Sequence, residues 1–340
     1  MSNLRAELKA ELESAGLFDY SPVKVFAKAI LLLLATIGLL VAFVMVPSWW
    51  VRVPTFFASI ATSVALIMFG HDSGHNAVSR RPFVNDVLGY FAFPLLSGLS
   101  LGYWRYKHNT LHHSYVNVEG KDPDIRIYPM AMNRTQRSER FGFSRFIQRF
   151  QGLAFWPLTL LTVFAMRFDS IKFLVGRGRR VAHGPERLLD IACVVGHYLT
   201  VVLVPLLIPG VSFLSVLAFY LAWSAAAGLL LGAIFIPAHM TQPIYSEYSD
   251  NFTLQVETTQ NLKTNRLFSF LLTGLDHQVE HHLFQRMSHL NLKKASPIVR
   301  AFCQRHGLPY NEQGWAAALW RSTLRLDRLP DYEPLPQPTR

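Results

Sequence analysis

Seven of the thirteen histidines in this sequence fall in three short clusters. His71 and His75 stand in HDSGH, His108, His112 and His113 in HNTLHH, and His281 and His282 in QVEHH, which also offers the amide of Gln278. Imidazole suits zinc, copper, iron and nickel, so imidazoles gathered at helical spacing point to a bound transition metal. Residues three and four apart share a helix face, so His71/His75, His108/His112 and Gln278/His281/His282 can each aim at one centre. His113 is turned about 100° from His112 by the helical period, toward a second metal beside the first. The only cysteines are Cys193 and Cys303. That excludes a thiolate cluster and a disulfide framework, and leaves nitrogen and oxygen to hold any metal. One zinc would use at most half of this donor set, and calcium and magnesium prefer oxygen. Two imidazole-rich iron sites with open positions suit dioxygen, whose reduction can drive removal of hydrogen from an unactivated methylene.

Ligating imidazoles usually donate their other ring N–H to a carboxylate or carbonyl. Asp72, Asp122, Asp124, Asp276 and Glu280 are placed for that role, and Trp104, Asn109 and Thr110 flank the second cluster where a substrate would pass. His277 precedes Gln278 and competes with it for the place facing a metal. His183, His197 and His306 stand alone and read as structural residues, His289 as a surface or interface residue. His239 ends an apolar run, where it can cap the helix or ligate.

These clusters must be positioned by a membrane protein. The chain of 340 residues is 51% hydrophobic and only 16% charged, and its mean hydropathy is +0.21, against about 25% charged for an average soluble domain. Four runs, residues 25–46, 53–69, 189–208 and 213–236, approach the roughly 20 apolar residues that a bilayer core demands, and short turns pair them as two hairpins. Shorter runs at 87–103 and 152–166 are broken by proline and glycine and read as interfacial or re-entrant helices. Of 33 Lys and Arg, 17 lie in residues 70–188, while the turn between the last two runs has none. The positive-inside rule therefore puts both termini and all three clusters on the cytoplasmic side. The net charge of +11 fits basic loops facing anionic lipid, and with no basic recognition helix nucleic acid is excluded as a partner. The expected fold is an all-α integral membrane protein, with four transmembrane helices in two hairpins and a cytosolic helical cap holding the metal site. Residues 1–24 read as a cytosolic amphipathic segment rather than a secretory signal, 25–325 as the membrane domain and 326–340 as a disordered tail.

HDSGH, HNTLHH followed by HSYVNVEGKDPDI, and QVEHHLF followed by NLKKASPIVRAFCQRHGLPY resemble the membrane fatty acid desaturases of the front-end and sphingolipid type, whose third histidine box begins with glutamine. The similarity covers residues 65–310. It implies oxygen-dependent desaturation of a lipid acyl chain at a pair of irons held by His71, His75, His108, His112, His113, Gln278, His281 and His282. It also implies that His239 is a further ligand and that QVETTQNL, residues 255–262, is the polar segment such enzymes carry before the third box. Gln285 stands where proline commonly follows HHLF. The chain shows no HPGG haem-binding motif of a fused cytochrome b5 domain, so electrons are expected from a separate ferredoxin- or cytochrome b5-type protein. That favours a bacterial inner membrane over endoplasmic reticulum. An acyl or sphingoid hydroxylase on the same centre, and a metal transporter or sensor without chemistry, are the alternative readings.

Overall fold

Leucine, alanine, valine and phenylalanine dominate residues 22–45. A bilayer offers the backbone no water to bond, so such a run must close its hydrogen bonds internally as a helix. A computed structural model describes residues 4–176 and 184–336 of the chain. Its main helices are α1 (Leu4–Ser14), α2 (Pro22–Met45), α3 (Trp49–Gly74), α4 (Pro82–Tyr90), α5 (Thr162–Val175), α6 (Pro185–Leu206), α7 (Phe213–His239), α8 (Asn251–Glu257), α9 (Gln278–Leu283), α10 (His289–Arg305) and α11 (Trp315–Arg328). Among the described residues, α2, α3, α6 and α7 are long and apolar enough to cross a membrane. They form two sequential pairs, and the protein is a multi-pass membrane protein. The helices start at or before the expected spans, and those ending at Gly74 and His239 run past them. α3 runs on through Gly74, so His71 sits inside its last turn and His75 is its C-cap rather than lying beyond the span.

The chain divides into two units. A span unit comprises residues 20–106 and 159–231, and a polar unit comprises residues 1–19, 107–158 and 232–340.

In the span unit, α2 and α3 are tied by a hydrogen bond between Thr36 and Thr62 at 2.9 Å, and Phe43 packs on Phe56 and Phe219. The expected re-entrant segment is a broken helix. α4 passes into a π-helical turn, Phe91–Leu95, the chain opens at Gly98–Ser100, and a short helix, Leu101–Trp104, follows. Unpaired backbone groups at such a break are costly away from water, and two helices supply partners. Asp190 of α6 accepts from Leu101 N at 3.1 Å, Gly102 N at 3.0 Å and the Ser100 hydroxyl at 2.5 Å. Arg167 of α5 donates to Ser97 O at 2.7 Å and to the Ser224 hydroxyl of α7 at 2.8 Å. Gly98 has φ +72°, and a side chain there would strike His197, which explains the glycine.

In the polar unit, α1 is amphipathic and buries Leu8 and Leu12 among Phe252, Val279, Val299 and Phe302, each leucine contributing about 2 kcal/mol. Arg5 fastens the same helix to Leu283 O at 3.1 Å. A second core joins Met130, Met132, Phe155, Ile244, Leu326 and Leu329. One departure from an all-helical fold is a parallel pair of three-residue strands, β1 (Asn261–Lys263) and β2 (Glu312–Gly314). Past Leu326, residues 329–331 make a 3₁₀ turn and Leu335 bridges Tyr245; residues 337–340 lie outside the described residues, as does His183.

Candidate metal centre

The polar unit brings six of the sequence-selected imidazoles into one cluster. HNTLHH winds as the end of a π-helix, Arg105–His112. Bonding from i to i+5 carries residues five apart onto one face. His113 comes round to His108, with Nε2 atoms 3.1 Å apart, while His108 and His112 remain stacked at 5.2 Å. α9 presents His281 and His282. His281 Nε2 lies 3.1 Å from His113 Nε2, and His282 sits 5.2 Å from His112 and 4.8 Å from His239, ring centre to ring centre. Donor atoms of His112, His239 and His282 fall within 4.8 Å of one another, as do those of His113, His281 and His282, and those of His108, His112 and Asp124.

The residues fit a metal. His112 turns Nδ1 to Asp122 at 3.1 Å, His239 turns Nδ1 to Thr258 O at 3.1 Å, and His282 turns Nδ1 to Gln255 Oε1 at 2.8 Å. Each of these bonds fixes the ring's orientation and tautomer, and Nε2 is then the atom the ring can offer. The Nε2 atoms of His108 and His281 each lie 3.1 Å from that of His113; a cation relieves such a convergence of ring nitrogens, and a shared proton satisfies it only in part.

The carboxylates divide by role. Asp122 is buried and receives, besides His112, the backbone N–H of Asn117 at 2.8 Å and of Asp124 at 2.9 Å. Burial alone would push the His112 imidazole down, but the facing Asp122 and Asp124 charges hold it above its ordinary value. Asp124 pairs with Lys107 at 2.6 Å; against the upward push of burial, that ammonium and His112 bring its carboxyl down to about 2. Glu280, expected to orient an imidazole, is instead taken by Asn261 at 2.8 Å and Tyr310 at 2.6 Å, with His277 Nδ1 4.0 Å away. Burial raises the Glu280 carboxyl above its ordinary range.

The span unit holds the first cluster. His71 and His75 are buried with ring centres 4.8 Å apart, and Asp72 lies 3.6 Å from His71 Nδ1. Trp104 packs edge-on against both rings, at 5.2 and 5.1 Å. A Cβ on Gly74 would overlap the Trp104 ring, so this box needs its glycine.

Other selected residues are placed as follows. Gln278 is buried and donates to Leu275 O at 3.0 Å, while His277, the N-cap of α9, faces Asp276 and Glu280. Asn109 is half-buried and Thr110 exposed, so Thr110 does not face an interior path. His306 bonds Glu7 at 3.1 Å, and His289, read as a surface or interface residue, is buried against Gly274. Gln255 and Thr258 escaped the sequence reading as partners of the imidazoles, although both lie in QVETTQNL. Gln255 bridges His282 to the backbone carbonyl of His113, to which it donates at 2.7 Å. The polar run was the signal that could have named them.

Residues 47–314 match the family model described as "Fatty acid desaturase". The sn-1 linoleoyl-lipid 6-desaturase of Synechocystis sp. is 31% identical over 269 residues, 74% of this chain and 73% of that protein. The acyl-lipid (9-3)-desaturase of Physcomitrium patens is 29% identical over 82% of this chain and 54% of its own length. The Delta 8-(E)-sphingolipid desaturase of Emericella nidulans is 27% identical over 89% of this chain and 58% of its length. The chain belongs to the fatty acid desaturase family, a family of oxidoreductases, and is shorter than several of these relatives.

Proposed function

We propose that this protein introduces a double bond into the acyl chain of a membrane lipid, consuming dioxygen and electrons from a separate ferredoxin- or cytochrome b5-type donor. The observation that carries the reading is the convergence of six imidazoles in the polar unit, three with Nδ1 held by Asp122, Thr258 O and Gln255. The ligand set, supported also by the spacing of the three boxes, is His71, His75, His108, His112, His113, His239, Gln278, His281 and His282, holding two irons. When bound, the irons would supply the reduction of dioxygen that makes an unactivated methylene oxidisable. In balance, one dioxygen takes two hydrogens from the acyl chain and two electrons and two protons from outside, and leaves as two waters. Asp122 and Gln255 orient rings and hold their Nδ1 protons, and the buried setting of His112, His113, His281 and His282 keeps bulk water from the oxidant. Trp104 forms an aromatic wall beside His71 and His75, suited to an apolar chain, with Asn109 near the second box. The acyl-lipid relatives support a lipid-borne substrate, and the charge pattern supports cytoplasmic termini.

Gas chromatography with mass spectrometry of acyl chains from an aerobic host tests this, beside His112→Ala and His281→Ala. A new double bond absent from both variants is the expected result. A hydroxylated chain instead would assign the centre to the alternative oxidation, and purified protein without iron would remove the basis of the proposal.

A further inference from the structure

We propose that α11 carries a binding site for the phosphate of an anionic glycerophospholipid, formed by Arg321, Arg325 and Arg328. Residues spaced by four and three share one helix face. These three line a cavity of about 450 Å³ together with Leu324, Tyr332 and Thr241. Thr241 stands two residues beyond the end of α7, so within the polar unit the cavity opens where a membrane-crossing helix finishes. α11 is fixed there: Trp315 donates its indole N–H to Ala233 O, in the last turns of α7, at 2.7 Å, and Trp156 donates to Thr323 at 2.9 Å.

Charge supports an anionic occupant. Among the described residues no carboxylate pairs with any of the three arginines. Arg325 donates to the carbonyl of Gln242 at 3.1 Å and lies over the Tyr332 ring, and Arg321 neighbours the amide of Gln313. The nearby acids are engaged elsewhere: Asp327 by Gly152 N at 2.8 Å, Asp331 by Arg137, and Glu333 by Arg134 at 3.0 Å. Guanidinium groups match phosphate oxygens bidentately and are weakly hydrated, so an unneutralised trio selects a phosphate. The apolar side chains favour a lipid over a soluble anion. Trp320 is 64% and Leu324 45% exposed on the same helix, the pattern of an amphipathic helix lying in a membrane surface with basic groups at headgroup level. None of these residues belongs to the proposed ligand set, so the site stands or falls apart from the desaturase reading.

The test uses the full chain purified in an uncharged detergent and follows its unfolding midpoint while a water-soluble, short-chain phosphatidylglycerol is titrated in. Saturable stabilisation is expected, absent with short-chain phosphatidylcholine. At about a fivefold effect per arginine, the apparent affinity should weaken about a hundredfold in Arg321→Gln/Arg325→Gln/Arg328→Gln and about fivefold in Arg328→Gln alone. The single variant, at an exposed position, decides if the triple one does not fold. Unchanged affinity in the variants, or equal stabilisation by phosphatidylcholine, overturns the proposal. Equal stabilisation by inorganic phosphate also overturns it, by assigning the arginines to a soluble anion.

Discussion

His197 in the span unit and His112 in the polar unit are both buried imidazoles, but they differ in how many nitrogens they leave to offer. His197 bonds Leu95 O through Nδ1 at 3.1 Å and the Tyr220 hydroxyl through Nε2 at 2.9 Å, so both nitrogens are engaged. His112 commits Nδ1 to Asp122 and turns the rest of its ring among other imidazoles. The aspartates repeat the contrast. Asp190 spends its oxygens on the backbone N–H groups of Leu101 and Gly102 and splices a broken helix, whereas Asp122, besides the N–H groups of Asn117 and Asp124, holds an imidazole. Burial of an ionisable group in a membrane protein is by itself a weak sign of chemistry; what distinguishes the two regions is where the polar atoms find their partners.

The sharpest break of that comparison removes one buried imidazole from each region, His282 from the polar unit and His197 from the span unit. His282→Ala should lower product by more than about a hundredfold and reduce iron per chain, because it removes a donor and also frees Gln255. His197→Ala should keep the iron content of the purified protein, measured by plasma mass spectrometry, and lower only its unfolding midpoint. Iron lost equally from both variants would erase the distinction. Next in size is Asp190→Asn, which weakens a carboxylate bonded to three groups at the opening of the span unit. Its cost should be about 3 kcal/mol, seen as an unfolding midpoint lower by about 5 °C. An unchanged midpoint would mean that the break at Gly98–Ser100 does not depend on its clamp. Asp122→Asn follows: the fold persists, and activity and metal affinity fall about 10- to 100-fold because the His112 ring loses its orienting charge. Full activity in that variant would move the orienting role to Asp124, 3.4 Å from His112.

The four spanning helices and the three boxes were legible because each is written in local spacing. Apolar length reports a span, and a repeat of imidazoles reports a donor face. The π-helix through His108 and His112 was not legible, since HNTLHH fits i→i+4 and i→i+5 bonding equally well and only tertiary context selects one. Asp190 sat unnoticed inside a run read as a span, because one charge barely alters the hydropathy of twenty residues and its partners lie some ninety positions away in the chain. Glu280 misled for a related reason: adjacency to His281 suggests a partner for the ring, yet the helix turns the carboxylate toward Asn261 and Tyr310. α1 reads as amphipathic in the sequence, but that its apolar face, Leu8 and Leu12, is buried among Phe252, Val279, Val299 and Phe302 depends on residues some 240 or more positions away.

The smallest effect bounds the comparison from the other side. Arg126 and Glu139 in the polar unit are 3.0 Å apart, as close as Asp190 Oδ2 is to Gly102 N, but their side chains are 56% and 46% exposed. Water screens such a pair and the ordering of two long side chains offsets most of the attraction, so exposed pairs are worth about 0–1 kcal/mol. Glu139→Ala should therefore shift the unfolding midpoint by less than about 2 °C, and raising the salt concentration should remove even that difference. A loss as large as that of Asp190→Asn would show that distance rather than burial governs these contacts, and the contrast between the two regions would then need another cause.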